Sequence, residues 1–223
     1  MSILNPVISK FLLTLNNPVQ VYSCPAGKTH AILDVSFFRD SDVGDSRIAI
    51  AVSDSASAGS LSTVDYFIDD IELIGSVNFA ELNKLVVGAG QKVYIKVLQG
   101  PDVSIRLAGV EENNPKVLKA GRLAAMATPN TNQTLIYHNN TPASAYTAAS
   151  LTIFNVNAAE CVVEGWITSS ATPSAGDKFI KLTIPSNDTV IVEAMLLAPG
   201  ERVFFKSNRN LTEYFIVGTV IGA

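Results

Sequence analysis

Three aspartates in one polar loop come nearest to a metal-binding pattern in this chain. Asp40, Asp42 and Asp45 stand in the run RDSDVGDSR, where spaced carboxylates beside a glycine resemble part of a calcium loop. The EF-hand spacing is absent, and no glutamate stands at the twelfth position. Residues 155–158, NVNA, occupy the matching place in the second half of the chain without a carboxylate. The pattern therefore favours a solvated hairpin loop over a calcium site.

Histidine and cysteine are too sparse for nucleophilic catalysis or zinc binding. The two histidines, His30 and His138, stand beside turns at similar places in the two halves, and we expect both near the surface. A serine or cysteine nucleophile needs a neighbouring base, which is usually histidine. Cys24 and Cys161 lie in different halves and match no zinc spacing. We expect two buried or half-buried free thiols.

A second acidic group could be proposed as the paired carboxylates of a glycoside hydrolase. Asp69, Asp70 and Glu72 lie within a strand-like run, so that Asp70 and Glu72 share one face. Solvated strand charges are the favoured interpretation. The run GAGQK at residues 88–92 lacks the spacing of a phosphate-binding loop. The residues thus predict no catalytic site, no cofactor and no metal, and the chain is not expected to be an enzyme.

Composition excludes two classes of partner. The net charge is −4 and no basic run or stripe is present, so nucleic acid is not an expected partner. No apolar run reaches the ~18 residues of a membrane span, and residues 1–18 lack the features of a signal peptide. Charged residues make up only 16% of the 223 residues. So few charges indicate a surface that is partly covered by neighbouring molecules.

The elements that would position any site are strands, and their pattern occurs twice. Leu85–Val97 reads as strand, glycine turn and strand, with Val93, Ile95 and Val97 in the buried phase. Leu196–Ser207 repeats it, and Gly90 aligns with Gly200 after a shift of 110 residues.

The spacing of short strands predicts an all-β chain of two tandem Ig-like antiparallel β-sandwich domains with similar topology. We expect an N-terminal arm at 1–18, a first sandwich at 19–112, a solvated linker at 113–122 and a second sandwich at 123–223. Only Phe79–Leu85 and Ala120–Ala127 could form a helical turn or two.

Two aromatic residues leave an alternative open. Tyr94 and Phe204 fall on the outward phase of equivalent strands. Exposed there, they would mark a subunit interface or a sugar-binding platform. If both faces of the strand are covered, they are ordinary packing residues.

Several turn-and-strand motifs resemble small β-sandwich modules in structural proteins of tailed bacteriophage particles. In the first half they lie at Tyr22–Thr29, Gly88–Val93 and Gly109–Glu112, and the second half keeps Tyr137, Pro142-Ala143, Pro199–Val203 and Gly218. The resemblance implies a virion component, in the first place a capsid decoration or cement protein acting through repeated surface contacts. The alternative is a carbohydrate-binding, receptor-binding or adaptor module at the tail or baseplate.

The implied partners are major capsid or tail proteins and further copies of this chain, with a host surface glycan in the alternative. Three segments are expected to reach those neighbours, namely residues 1–20 and the Ser/Ala/Gly-rich loops at 53–62 and 169–176.

Overall fold

The protein divides into two compact units of antiparallel strands. The structure is a computed structural model that describes residues 5–39, 44–74, 79–128, 132–141, 145–210 and 212–222. Unit 1 comprises Met1–Pro115 and Ala120–Arg122, and unit 2 comprises Lys116–Lys119 and Leu123–Ala223. Within the described ranges the helical segments are short 3-10 turns, at Ala58–Ser60, Thr63–Asp65 and Ala175–Asp177. None of the described helices is long and apolar enough to cross a membrane.

Unit 1 is built from eight strands in two four-stranded sheets. Their orders are β1-β8-β3-β6 and β2-β7-β4-β5. The strands are β1 (Asn5–Leu13), β2 (Val19–Ser23), β3 (His30–Arg39), β4 (Ser46–Ser53), β5 (Tyr66–Leu73), β6 (Phe79–Gly88), β7 (Lys92–Gln99) and β8 (Val103–Glu112).

Unit 2 is likewise built from eight strands in two sheets. Their orders are β14-β11-β16-β9 and β10-β15-β12-β13. The strands are β9 (Val117–Thr128), β10 (Thr134–His138), β11 (Tyr146–Asn155), β12 (Cys161–Thr168), β13 (Lys178–Ile184), β14 (Thr189–Leu197), β15 (Arg202–Ser207) and β16 (Thr212–Ile221). Within β9, residues 120–122 belong to unit 1.

The two units have the same strand order when every strand of unit 1 is shifted by eight. Eight strands ordered 1-8-3-6 and 2-7-4-5 form a jelly roll, a pair of sheets with Greek-key connections. The expectation of an all-β antiparallel chain is confirmed. The strands do not form the expected Ig-like arrangement, because an Ig domain of constant type has seven strands that pair in a different order.

The cores lie between the inner faces of each unit's two sheets. In unit 1, Val93, Ile95 and Val97 on β7 are fully buried in the predicted phase. In unit 2 the equivalent strand β15 buries Val203 and Phe205 completely. Alternation along each strand therefore gives one apolar face to the core, as a half-buried strand requires.

The ends of the expected domains differ from the structure. Asn5–Leu13, expected within an arm, is β1 and pairs with β8 from Asn5↔Glu111 to Leu13↔Val103. Most of the expected linker at 113–122 belongs to strand β9. β1 and β9 are end strands of their four-stranded sheets. Pairing with a strand that is distant in sequence determines their structure more strongly than local sequence preference does. The same cause explains why Phe79–Leu85 and Ala120–Ala127 are strand rather than helical turn.

Two equivalent glycines should tolerate no side chain. A Cβ added at Gly109 on β8 would lie 2.2 Å from the Ile32 carbonyl oxygen, and one at Gly218 on β16 would lie 2.2 Å from that of Ala148. Gly109→Ala and Gly218→Ala should each lower the free energy of unfolding by about 1–3 kcal/mol, because the neighbouring backbone must shift. Urea denaturation measures the loss.

The matched control for both variants is Gly59→Ala, because nothing lies within 4 Å of the added Cβ there. It should change stability by less than about 0.5 kcal/mol. Equal stability of the three variants would show that the sheet yields freely at Gly109 and Gly218.

Candidate functional site

The acidic loop at residues 40–45, the nearest match to a calcium loop, lies beside a buried arginine in the part that the structure describes. Asp40 and Asp42 lie outside the described residues. The carboxylate of Asp45 lies 3.8 Å from the Arg39 guanidinium, whose side chain is fully buried. Arg39 also donates hydrogen bonds to the carbonyl oxygens of Gly44 and, at 3.0 Å, Leu73. A guanidinium thus supplies the positive charge beside Asp45, and the described residues contain no group of three or more metal-ligating side chains.

His30, Cys24 and Cys161 are buried residues of the folded structure. His30 is buried, against the expectation of a surface residue, because β3 carries it between β6 and β8. Its Nδ1 lies 3.1 Å from the Thr29 hydroxyl, and its Nε2 lies 3.6 Å from the Glu112 carboxylate. Cys24 and Cys161 are buried free thiols. Burial raises the pKa of both thiols, which keeps them protonated and unreactive.

Acid should destabilise unit 1 by forcing a proton onto His30. Burial lowers the pKa of His30 below its ordinary value of 6.5, and the Glu112 carboxylate opposes this only in part. The unfolded chain therefore binds more protons between the folded pKa and 6.5. The contribution of His30 to stability is complete above that window and falls as the pH drops through it.

The measurement compares urea midpoints at about pH 7.5 and about pH 5.5 for wild type and His30→Gln. We expect a smaller loss on acidification in His30→Gln, since glutamine does not titrate. His138→Gln, the control, should keep the wild-type loss. If His30→Gln keeps it too, another group carries the pH dependence.

The acidic run on β5 contains no described carboxylate pair. The side chains of Asp69 and Asp70 lie outside the described part. Glu72 lies 3.7 Å from the Arg47 guanidinium, and both side chains are substantially exposed. Glu72 is therefore a solvated strand charge.

Tyr94 and Phe204 are packing residues. Tyr94 is 1% exposed and Phe204 is 7% exposed. The Tyr94 hydroxyl donates to the Ser55 carbonyl oxygen at 3.1 Å, and Lys92 Nζ donates to the same oxygen at 3.1 Å. The loop after β4 therefore covers the outer face of β7. Of the two alternatives for these aromatics, the covered strand is the one observed.

Gln91, Asp65 and Arg122 form a hydrogen-bonded polar cluster in unit 1, called the clamp below. Gln91 Oε1 accepts hydrogen bonds from the backbone N–H groups of Gly88 at 3.1 Å and Arg122 at 2.9 Å. Its amide nitrogen donates to the Arg122 carbonyl oxygen at 3.3 Å. Gln91, which is buried, thus grips the backbone of β9 at Arg122.

Asp65 holds the other end of Arg122. Its carboxylate accepts hydrogen bonds from the Arg122 guanidinium, from Ser53 Oγ at 2.7 Å, and from the backbone and hydroxyl of Ser62, each at 2.8 Å. Burial alone would raise the pKa of Asp65, but these hydrogen bonds outweigh it and lower the pKa. Asp65 is therefore an ionised partner for Arg122, and a second carboxylate, Asp54, lies 3.4 Å from the guanidinium.

Unit 2 repeats the acceptor half of this clamp. The carboxylate of Asp177 accepts from the Ser174 backbone at 2.7 Å and from its hydroxyl at 2.8 Å, as Asp65 does from Ser62. Glu201 accepts from the Ala198 backbone N–H at 2.7 Å, as Gln91 does from Gly88. Among the residues that the structure describes, no lysine or arginine forms an ion pair with Asp177. The acceptors are present without the arginine.

The clamp was not recognised in the sequence, although two signals were visible. Ser62–Asp65 and Ser174–Asp177 both have serine and aspartate three residues apart, a capping-box spacing. Gln91 and Glu201 follow the aligned glycines Gly90 and Gly200. Arg122 itself gave no signal, because it lies 57 residues from Asp65.

A groove lies on the outer face of the sheet β1-β8-β3-β6. Its volume is about 550 Å³. Beside it the rings of Phe38 and Phe79 lie 4.9 Å apart, and each side chain is 44% exposed. The groove is lined by Lys10, Phe11, Leu12, Phe38, Ser104, Ile105 and Arg106. It combines an apolar floor with two basic side chains.

Comparison with known proteins gives similarity of structure only. No protein-family model matches the chain, and no curated protein matches it. Among solved structures, the chain is similar to the major capsid protein P2 from bacteriophage PM2, with 14% identity, a TM-score of 0.40, and coverage of 97% of this chain and 98% of that one. It is similar to the STIV MCP at 8% identity and a TM-score of 0.40, over 99% and 97% of the two chains. It is also similar to a tandem CBM22 domain of Paenibacillus barcinonensis Xyn10C at 7% identity and a TM-score of 0.27, over 99% and 93%.

Proposed function

We propose that this chain is a non-enzymatic structural protein of a virus particle, located in the capsid and acting through surface contacts repeated over the particle. The observation that carries the proposal is the tandem pair of eight-stranded jelly rolls with one strand order. Jelly rolls recur as domains of viral capsids. Contacts that are individually weak add up when many copies bind together.

The described side chains support a role in contact rather than chemistry. Two of the groups with catalytic potential hold the fold instead, since Arg39 lies beside Asp45 and His30 lies between Thr29 and Glu112. By contrast, the outer face of the sheet β1-β8-β3-β6 leaves large apolar side chains in solvent. Ile8 is 69% exposed and Leu12 is 61% exposed. An apolar face of this kind is typical of a surface that a partner covers.

The finer proposal is a decoration or cement protein on the head of a bacteriophage particle. Such a protein binds major capsid proteins and further copies of itself. The decoration role also predicts that mildly dissociating conditions remove this chain from the particle while the capsid shell stays closed. A chain that builds the shell would leave only when the shell falls apart.

The test is quantitative mass spectrometry and immunogold electron microscopy of purified particles of the virus that encodes the chain. We expect many copies per particle, on the order of tens or more, with gold over the head. Gold confined to the tail would move the protein to an adaptor or receptor-binding role. Absence of the chain from intact particles would contradict the proposal.

A tail or baseplate module that binds a host surface glycan is the second candidate, and one observation favours it. Lectin domains also use the jelly roll, and Phe38 and Phe79 form an exposed aromatic pair. Aromatic faces are suited to stacking on apolar surface. A glycan array with wild type, Phe38→Ala and the control Phe179→Ala tests it: binding lost only in Phe38→Ala supports the module, and no binding by wild type rejects it.

A further inference from the structure

One row of side chains on the outer face of the sheet β1-β8-β3-β6 has its charges sorted by sign. Lys10 on β1 and Arg106 on β8 are register partners, and both are exposed. The row continues through Ser36 on β3 to Glu81 on β6, which is also exposed. The row is therefore basic at the β1 end and acidic at the β6 end.

The charges of this row lack a compensating neighbour. Like charges directly opposite each other on neighbouring strands repel, as Lys10 and Arg106 do here. None of the ion pairs between described residues involves Lys10, Arg106 or Glu81. The Glu81 carboxylate accepts only a long hydrogen bond, from the Ser36 hydroxyl at 3.4 Å. In the next row, by contrast, Asp34 on β3 accepts a hydrogen bond from the backbone of Lys84 at 2.8 Å.

The row on the other side of these charges is apolar and has a gap in its middle. It runs through Leu12, Ser104, Phe38 and Phe79. Leu12 is 61% exposed, and the two phenylalanines are each 44% exposed. The small side chain of Ser104 lies between Leu12 and Phe38, where the groove of about 550 Å³ is found. The face thus has both an exposed aromatic pair and an apolar gap beside it.

A twofold axis parallel to the strands, midway between β8 and β3, makes this face complementary to itself. It places β1 against β6 of a second copy and β8 against β3, with each row facing the same row. Lys10 then meets Glu81, and Phe38 meets the gap at Ser104. Each contact occurs twice, as an isologous interface requires. The axis also keeps the strands of the two sheets nearly aligned, which is a common geometry for sheets that pack face to face.

We propose that a second copy of this chain covers this face, with Lys10 of each copy against Glu81 of the other and Phe38 of each copy in the groove over Ser104 of the other. The occupant follows from the pattern. It must bring an acid opposite Lys10 and, one row away, an apolar side chain opposite Ser104, and this same face supplies both. The inference rests on the proposed function, since it names one of the contacts between copies.

The test is sedimentation equilibrium of the purified full-length chain. The wild type should dimerise and stop at two copies, because a twofold contact closes on itself. Lys10→Glu and Glu81→Lys each place like charges opposite at both contacts, so each should weaken dimerisation about tenfold or more. Mixing the two variants in equal amounts should restore dimers, because every contact in a mixed dimer again joins opposite charges.

The matched control for the charge variants is Glu160→Lys. It makes the same charge change at an exposed loop position of unit 2 and should dimerise as wild type does. A second pair of variants tests the groove. Ser104→Phe fills the gap and should weaken dimerisation about tenfold or more, whereas Ser104→Ala leaves the gap open and should not. Urea midpoints of all variants show whether the fold is kept.

Four outcomes would overturn the inference. The wild type could stay monomeric up to about 1 mM, or it could assemble beyond two copies. The mixture could associate no better than the single variants, or Glu160→Lys could weaken association as much as Glu81→Lys. Particle composition decides the proposed function separately, so a chain that is abundant in particles but fails these tests rejects this contact alone.

Discussion

Replacing Arg39 with alanine should destabilise unit 1 by about 2–4 kcal/mol. The guanidinium is fully buried beside Asp45 and donates to the carbonyl oxygens of Gly44 and Leu73. Alanine would leave both carbonyl oxygens without this donor, and that of Leu73 lies in a buried hydrogen bond. An unsatisfied buried acceptor costs more than a hydrogen bond gains. Differential scanning calorimetry of the full chain should show a transition shifted to lower temperature.

Arg47→Ala is the matched control for Arg39→Ala. Arg47 lies 3.7 Å from Glu72, and both side chains are substantially exposed, so its loss should cost less than about 1 kcal/mol. Arg39→Lys keeps the charge with fewer donors and should fall between wild type and alanine. If Arg39→Ala and Arg47→Ala destabilise the protein equally, burial of the Arg39 guanidinium is not the cause of the stability lost in Arg39→Ala.

Replacing Phe205 with alanine should destabilise unit 2 by about 3–5 kcal/mol. The ring is fully buried, its centroid lies 4.9 Å from that of Tyr214 and 5.9 Å from that of Phe179, and its edge reaches the backbone of Gly165. Alanine would leave a cavity in the core, which the close contacts around it prevent from collapsing fully.

Trp166 gives this second experiment a local signal, because it is the only tryptophan and lies in unit 2. Its fluorescence in urea should report a lowered midpoint in Phe205→Ala. Phe179→Ala removes the same atoms from a side chain that is 39% exposed, and should cost less than half as much. If Phe205→Ala and Phe179→Ala lose the same stability, burial of the Phe205 ring does not determine its contribution.

The strands with one apolar and one polar face could be predicted from the sequence. In β7 and β15 the side chains alternate between core and outside, and the shift that aligns Gly90 with Gly200 aligns their turns as well. The period of two is a local property, so it is visible without knowledge of the fold.

Features that depend on distant partners could not be predicted. β1 is apolar on both faces, with Phe11 and Leu13 on one and Ile8 and Leu12 on the other, so alternation does not reveal it. Tyr94 has the outward phase, but a loop returns to cover it. Arg122 falls within the expected linker at 113–122, because its partner Asp65 lies 57 residues away in the sequence. In each case the missing information was which distant part of the chain pairs with, covers or binds the residue.

The pairing of β1 with β8 also decides when each unit can fold during synthesis. Asn5 pairs with Glu111, so the first strand waits unpaired until the eighth has left the ribosome. Contacts between residues so far apart in sequence slow folding to milliseconds or seconds in all-β proteins. Unit 1 contains every strand it needs by residue 112, before most of unit 2 has been translated. The nascent chain therefore can complete one jelly roll before the strands of the next compete for the same register, which protects a sequence with two similar halves from mispairing.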